Sequence, residues 1–282
     1  MISIRYFTPA AHLRQHVSSF YWFESRLPAF ADLMRAELGQ IRLVTEGHAL
    51  NQYQDGHCRP GRGAVLQGPT TAPVHYQASG RLSLFGIGLL PRGWAELIGV
   101  PADELADDAV DLVDALPRAQ VCCLLDALAE ARDDAGRCAI VNQWLTGLLN
   151  RSRRPATWFV GLADDWLTGS PNPDVDALVA ASGMSARSVE RLSRRLYGAS
   201  PKLMARKYRA LGAAVRLGTG EAQNWADAAG EAFYDQAHFI REFKTFTGMT
   251  PARFLAEAAP ITRLTIAGRR LIPDLPRLAL IA

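Results

Sequence analysis

The fold of this chain is decided by two stretches of sequence, and the first is Val175-Asp-Ala-Leu-Val-Ala-Ala-Ser-Gly183-Met-Ser185-Ala-Arg187-Ser-Val-Glu190-Arg191-Leu-Ser-Arg194-Arg195-Leu-Tyr197. The second is Asn224-Trp-Ala-Asp-Ala-Ala-Gly230-Glu-Ala-Phe233-Tyr-Asp235-Gln236-Ala-His238-Phe239-Ile-Arg241-Glu-Phe243-Lys244-Thr-Phe246-Thr247. Each predicts a short helix, a tight turn and a second helix. Two such units on one polypeptide can address two segments of a DNA major groove without a second subunit.

In the first unit, Gly183 supplies a left-handed turn and Ser185 is placed to cap the helix that follows. The apolar residues of that helix face inward at the spacing i, i+3, i+7, and they are Val189, Leu192 and Leu196. The opposite face is mostly cationic, which suits insertion into a major groove, where arginine grips guanine O6 and N7. An ordinary amphipathic surface helix remains the alternative. The outward residues are Arg187, Glu190, Arg191, Arg194 and Arg195.

The second unit repeats this pattern. Asp235 is predicted to cap its second helix, and a phenylalanine stripe at i, i+4, i+7 faces inward: Phe239, Phe243 and Phe246. We expect His238 to pack or hydrogen-bond locally, because no partner lies at metal-ligand spacing. The outward face could read adenine, guanine and a thymine methyl group. It consists of Gln236, Ala237, Ile240, Arg241 and Lys244.

Between the units, Pro201 to Leu217 is predicted to form one basic helix that holds them at a fixed separation. If both units enter one face of a duplex, their recognition helices should lie ~34 Å apart, which is one turn of DNA. The cations of this helix are Lys202, Arg206, Lys207, Arg209 and Arg216.

The charge of the 282-residue chain is divided unevenly. Residues 1–150 carry 12 basic and 16 acidic groups, whereas residues 151–260 carry 15 basic and 11 acidic groups. An acidic first half and a basic second half indicate that the second half meets a polyanion.

The first ~115 residues are rich in strand and turn signals, which predict a small β-barrel or sandwich. Residues 117–150 switch to helical periodicity, and Asn150-Arg-Ser-Arg-Arg-Pro155 reads as a linker. The predicted fold class is α+β. Its predicted parts are a β-rich domain (1–115), a helical linker (116–155), an all-α domain of two helix-turn-helix units (156–259) and a C-terminal tail (260–282) whose order stays open. Apolar spacing in the linker favours a homodimer surface or packing onto the β-rich domain, through Leu124, Leu128, Trp144 and Leu148.

The C-terminal half resembles the DNA-binding domain of AraC/XylS-type transcription regulators. The likeness rests on Ser185-x-Arg-x-x-x-Arg191, Gly198-Ala-Ser-Pro201 and Ala232-Phe233-x-Asp-Gln-x-His-Phe239-x-x-x-Phe243-Lys-x-x-x-Gly248-Met-Thr-Pro251, within residues 156–258. It implies seven helices, of which the third and sixth read bases, and a sequence-specific regulator that binds double-stranded DNA, with RNA polymerase a further candidate partner. The implied base-reading residues are Arg187, Glu190, Arg191, Gln236, Ala237, Ile240 and Arg241. The predicted phosphate contacts are Ser185, Arg194, Arg195, Lys202 and Lys244.

Three positions depart from the family pattern. Ala232 stands where a glycine usually precedes Phe233, so either Gly230 takes over part of that role or the turn is shifted. Val179 replaces the usual alanine, and Ser193 the usual phenylalanine. We expect the first unit to carry most of the base-specific energy and the second to set the register.

The N-terminal half resembles the cupin-like sensor domains that precede such DNA-binding domains. Because Glu46, His48, His57 and His75 form no convincing ligand motif, we predict neither a metal nor a cofactor. The effector of the sensor domain is unknown, and core packing explains its aromatic residues as well as a ligand pocket does. The candidate pocket residues are Phe20, Tyr21, Trp22, Phe85 and Trp94.

Rival classes are an enzyme joined to a DNA-binding domain and an interaction module that no longer binds DNA. A zinc-dependent repair protein would need close cysteine pairs, whereas Cys58 is far in sequence from Cys122, Cys123 and Cys138, and the adjacent pair is predicted to be buried. A Ser/His/Asp hydrolase lacks its Gly-x-Ser-x-Gly motif. We predict no enzymatic activity, no membrane span and a cytoplasmic location.

Overall fold

The computed structural model describes residues 2–152, 157–257 and 260–282. In these residues the N-terminal half contains ten strands: β1 (Ile2–Phe7), β2 (Val17–Ser25), β3 (Ala29–Met34), β4 (Gln40–Glu46), β5 (Ala49–Gln52), β6 (Cys58–Gly61), β7 (Ala64–Gln67), β8 (Val74–Ser79), β9 (Leu82–Leu89) and β10 (Ala109–Asp111). They form a six-stranded sheet in the order β1-β2-β9-β4-β7-β10 and a four-stranded sheet in the order β3-β8-β5-β6. Every neighbouring pair is antiparallel.

Strand β2 shows how the six-stranded sheet buries both of its faces. Successive side chains of a strand point to opposite faces. Phe20 and Trp22 therefore pack against helices on the outside of the sandwich. Tyr21 and Phe23 instead face the four-stranded sheet. The six-stranded sheet thus separates two hydrophobic cores, one beneath the helices and one between the two sheets.

The helices that cover the outer face of the six-stranded sheet are α1 (Pro91–Gly93), which continues into a π-helical turn (Trp94–Ile98), α2 (Leu112–Ala115), α3 (Arg118–Glu130) and α4 (Asp134–Arg151). Leu124, Leu128 and Leu148 are buried in the same core as β2, with Trp144 packed against it. The apolar face that favoured a homodimer surface is therefore occupied by the chain's own sheet. A dimer would have to use other residues.

The prediction that the adjacent cysteines are buried is wrong. Cys122 and Cys123 are both exposed on α3, because the core-facing positions of that helix belong to Val121 and Leu124. The prediction rested on the apolar residues around the two cysteines. On the helix, however, Cys122 and Cys123 lie on a different face from Val121 and Leu124 and point outward.

The second half of the described chain is helical: α5 (Trp158–Gly169), α6 (Val175–Ser182), α7 (Ala186–Tyr197), α8 (Pro201–Gly218), α9 (Trp225–Ala229), α10 (Gln236–Thr247), α11 (Pro251–Glu257), α12 (Pro260–Arg270) and α13 (Arg277–Ile281). The first seven correspond to the predicted all-α domain. The α+β class and the strand-rich and helical halves are confirmed. Part of the predicted linker falls on residues 153–156, which lie outside the described residues.

The C-terminal tail is folded onto both halves. Helix α12 packs on β1 and β3, while α13 packs on α5 and α8. Arg35 of the sheet half is fully buried and donates hydrogen bonds to Thr265 Oγ1 at 3.2 Å and to the Ala282 oxygen at 2.6 Å. The tail therefore belongs to the packed structure. No helix in the described part of the chain is both long and apolar enough to cross a membrane.

Candidate nucleic-acid interface

The first predicted recognition helix is α7, and its ends are fixed by local hydrogen bonds. Ser185 Oγ accepts a hydrogen bond from the Ser188 amide at 3.3 Å, which satisfies one of the free donors at the helix start. Val189 and Leu196 are buried, whereas Leu192 is only partly buried. Tyr197 anchors the other end, because its hydroxyl donates to Asp164 Oδ1 at 2.6 Å. Burial raises the pKa of Asp164 to about 6, despite the opposing effect of that hydrogen bond.

The outward face of α7 presents three cations that are free to meet a ligand. Arg187, Arg191 and Arg195 are exposed. Glu190, in contrast, forms an ion pair with Arg194 at 2.8 Å. The structure therefore pairs a predicted base reader with a predicted phosphate contact. The cationic surface of α7 is concentrated on the other three arginines.

The turn of the second unit has its positive φ at Gly230, two residues before Ala232. Gly230 carries the positive φ of +50°, in the region that favours glycine, whereas Ala232 lies in a 3₁₀ turn with no positive φ. The side chain of Ala232 is buried at 4% exposure and creates no backbone strain. Asp235 Oδ1 then accepts from the His238 amide at 2.6 Å and caps α10. A residue with Cβ is tolerated because the bend occurs earlier in the chain.

Helix α10 buries the predicted phenylalanine stripe completely: Phe239, Phe243 and Phe246 are each 0% exposed. His238 receives a hydrogen bond at Nδ1 from the Tyr234 amide at 3.4 Å, so it is used locally as expected. Ile240 is partly buried against the same core. The predicted contact residues that are exposed on this helix are Gln236, Ala237, Arg241 and Lys244.

Helix α8 is less of a basic surface than its sequence suggests. Glu242 of α10 is buried at 6% exposure and accepts from Arg206 at 2.9 and 2.8 Å, with Arg209 at 3.6 Å. Burial alone would raise the pKa of Glu242, but the hydrogen bond and charge of Arg206, with the charge of Arg209, hold it below its usual value. Arg209 also donates to Asn172 Oδ1, just before the first unit, at 2.8 Å. We call Arg206, Arg209 and Glu242 the clasp, since they join α8 to the second unit and reach towards the first.

Two other cations of α8 are also committed to structure. Lys207 is 4% exposed, and its Nζ donates to the carbonyl oxygens of Glu37 at 2.8 Å and Thr70 at 2.7 Å. Burial lowers the pKa of Lys207 to about 8. Arg216 donates to the Ala228 oxygen. Among the five cations predicted for this helix, Lys202 is the exposed one.

Both recognition helices rest their C-terminal ends on the sheet half. Gly198 ends α7 at φ +76°, and a Cβ there would come within 2.7 Å of Pro69 Cγ. Gly248 ends α10 at φ +77°, and a Cβ there would come within 2.2 Å of Leu33 Cδ2. The Ala36 amide, which follows β3, also donates to the Phe246 carbonyl oxygen of α10 at 2.9 Å. The sheets therefore act as a common base beneath the two helices.

Comparison with known families identifies this arrangement. Residues 178–257 match a family model described as a helix-turn-helix domain. The C-terminal half contains an AraC-type helix-turn-helix domain. Residues 5–111 match a model described as a domain of unknown function. No curated protein matches the chain.

Among solved structures, ToxT from Vibrio cholerae is 8% identical with a TM-score of 0.48, and the match covers 91% of this chain and 97% of ToxT. Wild-type ToxT bound to an unsaturated fatty acid is 9% identical at 0.47, covering 90% and 94%. A cupin superfamily protein from Desulfitobacterium hafniense is 13% identical at 0.25, covering 32% and 77%. With TM-scores below 0.5, these likenesses carry no conclusion about function.

Four of the five residues predicted for an effector pocket belong to the core beneath the helices. Phe20, Phe85 and Trp22 point away from the space between the sheets and pack beneath the helices. Trp94 belongs to the same core, and its Nε1 donates to the Val100 oxygen at 2.7 Å. An interior cavity of about 40 Å³ lies instead on the other face of β2. Tyr21, the fifth predicted residue, is one of the residues that line it.

The sequence did not identify two residues that the structure places at potential binding surfaces. Tyr234 is 93% exposed immediately before the cap of α10, and its place beside Asp235 in the motif was the signal for it. Arg42 lines the interior cavity at 5% exposure. An arginine in an alternating strand ordinarily indicates a solvent-facing position, so no sequence signal marked it. In the described residues, no group of three or more His, Cys, Asp or Glu side chains could hold a metal ion.

Proposed function

We propose that this chain is a sequence-specific, DNA-binding transcription regulator whose N-terminal domain responds to a small-molecule effector. The observation that carries the proposal is the pair of recognition helices, each with an exposed polar face, joined through one clasp and seated on one base. A rigid pair of this kind can present both helices to one face of a duplex.

In this mechanism, the N-terminal parts of α7 and α10 enter successive major-groove segments. Arg187 and Arg191 read guanine O6 and N7, and Gln236 reads adenine. Arg241 reads guanine, while Ala237 and the exposed edge of Ile240 meet thymine methyl groups. Glu190 contributes indirectly, because its ion pair fixes Arg194.

Affinity without sequence preference would come from phosphate contacts. Lys202 and Lys244 are exposed at the margins of the two units, and Arg194 and Arg195 lie along α7. Ser185 offers its hydroxyl at the start of the same helix, in addition to its capping role.

We propose the cytoplasm as the location of the protein, because a transcription regulator must have access to DNA. RNA polymerase is the proposed further partner of an activator.

Selection of bound sequences from random DNA by the full chain tests the proposal. We expect an enriched site with two conserved segments whose centres lie about one helical turn, ~10 base pairs, apart. The matched control is Arg187→Ala combined with Arg191→Ala, which should remove conservation in one segment only. Binding without enrichment of any sequence would leave a non-specific DNA-binding protein, and no binding would favour the interaction-module class.

A further inference from the structure

The interior cavity between the two sheets has an apolar wall and a polar end. Its apolar side is formed by Ile4, Phe23, Leu84 and Ile261, while its charged and amide groups are those of Glu37, Gln40, Arg42 and Arg269. At about 40 Å³ it has space for roughly three water-sized groups. Helix α12 closes it through Ile261, Thr265 and Arg269.

Arg42 is the cation of this cavity whose hydrogen bonds are long. Its guanidinium is buried, and it donates over 3.3 Å to Gln40 Oε1, 3.5 Å to Asn51 Oδ1 and 3.6 Å to Met34 Sδ, with the Tyr21 hydroxyl as a further partner. In the described part of the chain it forms no ion pair with a carboxylate. The nearby Glu37 carboxylate is engaged by Arg269 at 3.3 Å and by Gln40.

A buried guanidinium without a close anion is costly, because the charge has lost its hydration without gaining an ionic partner. Tyr76 compensates in part, since its ring lies 5.4 Å from the guanidinium carbon. An arginine fork matches the two oxygens of a carboxylate in geometry. The apolar wall opposite would accept a short hydrocarbon chain.

We propose that the cavity binds a small organic carboxylate, with its carboxylate on Arg42 and its short apolar body against Ile4, Leu84 and Ile261. This inference rests on the proposed function in one respect: it names the chemical class of the effector. Because the cavity as it stands is smaller than a short acid such as propionate or butyrate, binding of either acid requires α12 to move outward.

Helix α12 connects this cavity to the second recognition unit. One side of it lines the cavity through Ile261 and Thr265. Another side places Ile266, at 4% exposure, in the core that contains Phe239 and Phe243 of α10. A ligand that shifts α12 therefore also acts on the core beneath α10.

Isothermal titration of the full chain with acetate, propionate, butyrate, hexanoate and butyramide tests the proposal. We expect propionate and butyrate to bind and the neutral amide not to bind. Arg42→Met should weaken butyrate binding at least tenfold, because it removes the guanidinium that would hold the carboxylate. Arg59→Met is the control, because Arg59 is exposed and paired with Asp108 on the surface. It should bind butyrate as the unaltered chain does.

The proposal is overturned if none of the acids binds, if butyramide binds as well as butyrate, or if Arg42→Met leaves butyrate binding intact. If Arg42→Met does not fold, Ile4→Trp replaces it. That substitution places a large side chain in the cavity from the partly buried β1. If the Ile4→Trp variant still binds butyrate as the unaltered chain does, the proposal is likewise overturned. DNA affinity is measured on the same samples. Failure of DNA binding with intact acid binding counts against the proposed function alone, and acid binding without any change in DNA affinity counts against the α12 link.

Discussion

At the scale of single residues, the charges of α7 fall into two classes that the sequence does not separate. Arg194 is held by Glu190 at 2.8 Å, so part of its charge is already compensated. Arg191 is exposed and one turn closer to the start of the helix. Residues near the N-terminus of a recognition helix reach base edges, whereas later ones meet the backbone.

Arg191→Ala is therefore expected to weaken binding to the preferred site by about 1–3 kcal/mol and to relax base preference at one position. Arg194→Ala should weaken binding to every sequence to a similar extent. Fluorescence anisotropy with the selected duplex and with scrambled duplexes compares the two variants. A uniform loss for Arg191→Ala would make that residue a phosphate contact.

Lys207 contributes a second residue-scale prediction, on pH. Because its pKa falls from an ordinary 10.5 to about 8 on folding, the unfolded chain binds more protons between those values. The folded state is then favoured progressively as the pH rises from about 8 to 10.5. Urea unfolding of Lys207→Met beside the unaltered chain isolates this effect. The stability of the unaltered chain relative to the variant should increase across that range, and a constant difference would contradict it.

At the scale of elements, the clasp determines how the two units are held. Glu242 is almost fully buried, so removing its charge leaves Arg209 without a counter-ion. Its lowered pKa means that the clasp stabilises the fold above the unfolded pKa of about 4.3 and that this contribution is lost as the pH falls further.

Glu242→Gln is expected to lower the free energy of unfolding by about 3 kcal/mol at neutral pH. The control is Glu221→Gln, whose exposed ion pair with Arg270 should be worth less than ~1 kcal/mol. Urea denaturation measures both. Equal effects would show that the clasp is no stronger than a surface ion pair.

Much of the element level follows from the sequence, because buried periodicity is a strong signal. The phenylalanine stripe and the caps Ser185 and Asp235 were predicted from spacing and appear as expected. The second turn could not be placed, since Ala232 departs from the family pattern and the local sequence did not decide whether Gly230 takes over its role or the turn is shifted. The cavity could not be found either, because the face of a strand that a second sheet covers depends on long-range packing.

At the scale of the whole molecule, the sheet half supports the ends of both recognition helices. Gly198 and Gly248 are close-contact points as well as helix ends. Their contacts make the separation of the two helices depend on the N-terminal domain. A change inside that domain can therefore alter the separation of the two helices.

Gly198→Ala separates the cost of helix ending from the cost of this contact. Gly183 has a similar φ of +66° but no neighbour within 4 Å of the added Cβ, so Gly183→Ala should cost only about 1–2 kcal/mol. Gly198→Ala should cost about 1–3 kcal/mol more, because Pro69 must move. Thermal unfolding of the two variants measures the difference, and equal costs would mean that the sheet half yields freely at this point.

The central claim is that two helix-turn-helix units read DNA as one rigid pair, and inserting about 5 base pairs between the two selected segments tests it most directly. Half a helical turn moves one segment to the opposite face of the duplex. Anisotropy titration with the inserted duplex should show that affinity falls to that of a duplex carrying one segment alone. Affinity that is unchanged by the insertion would contradict the claim.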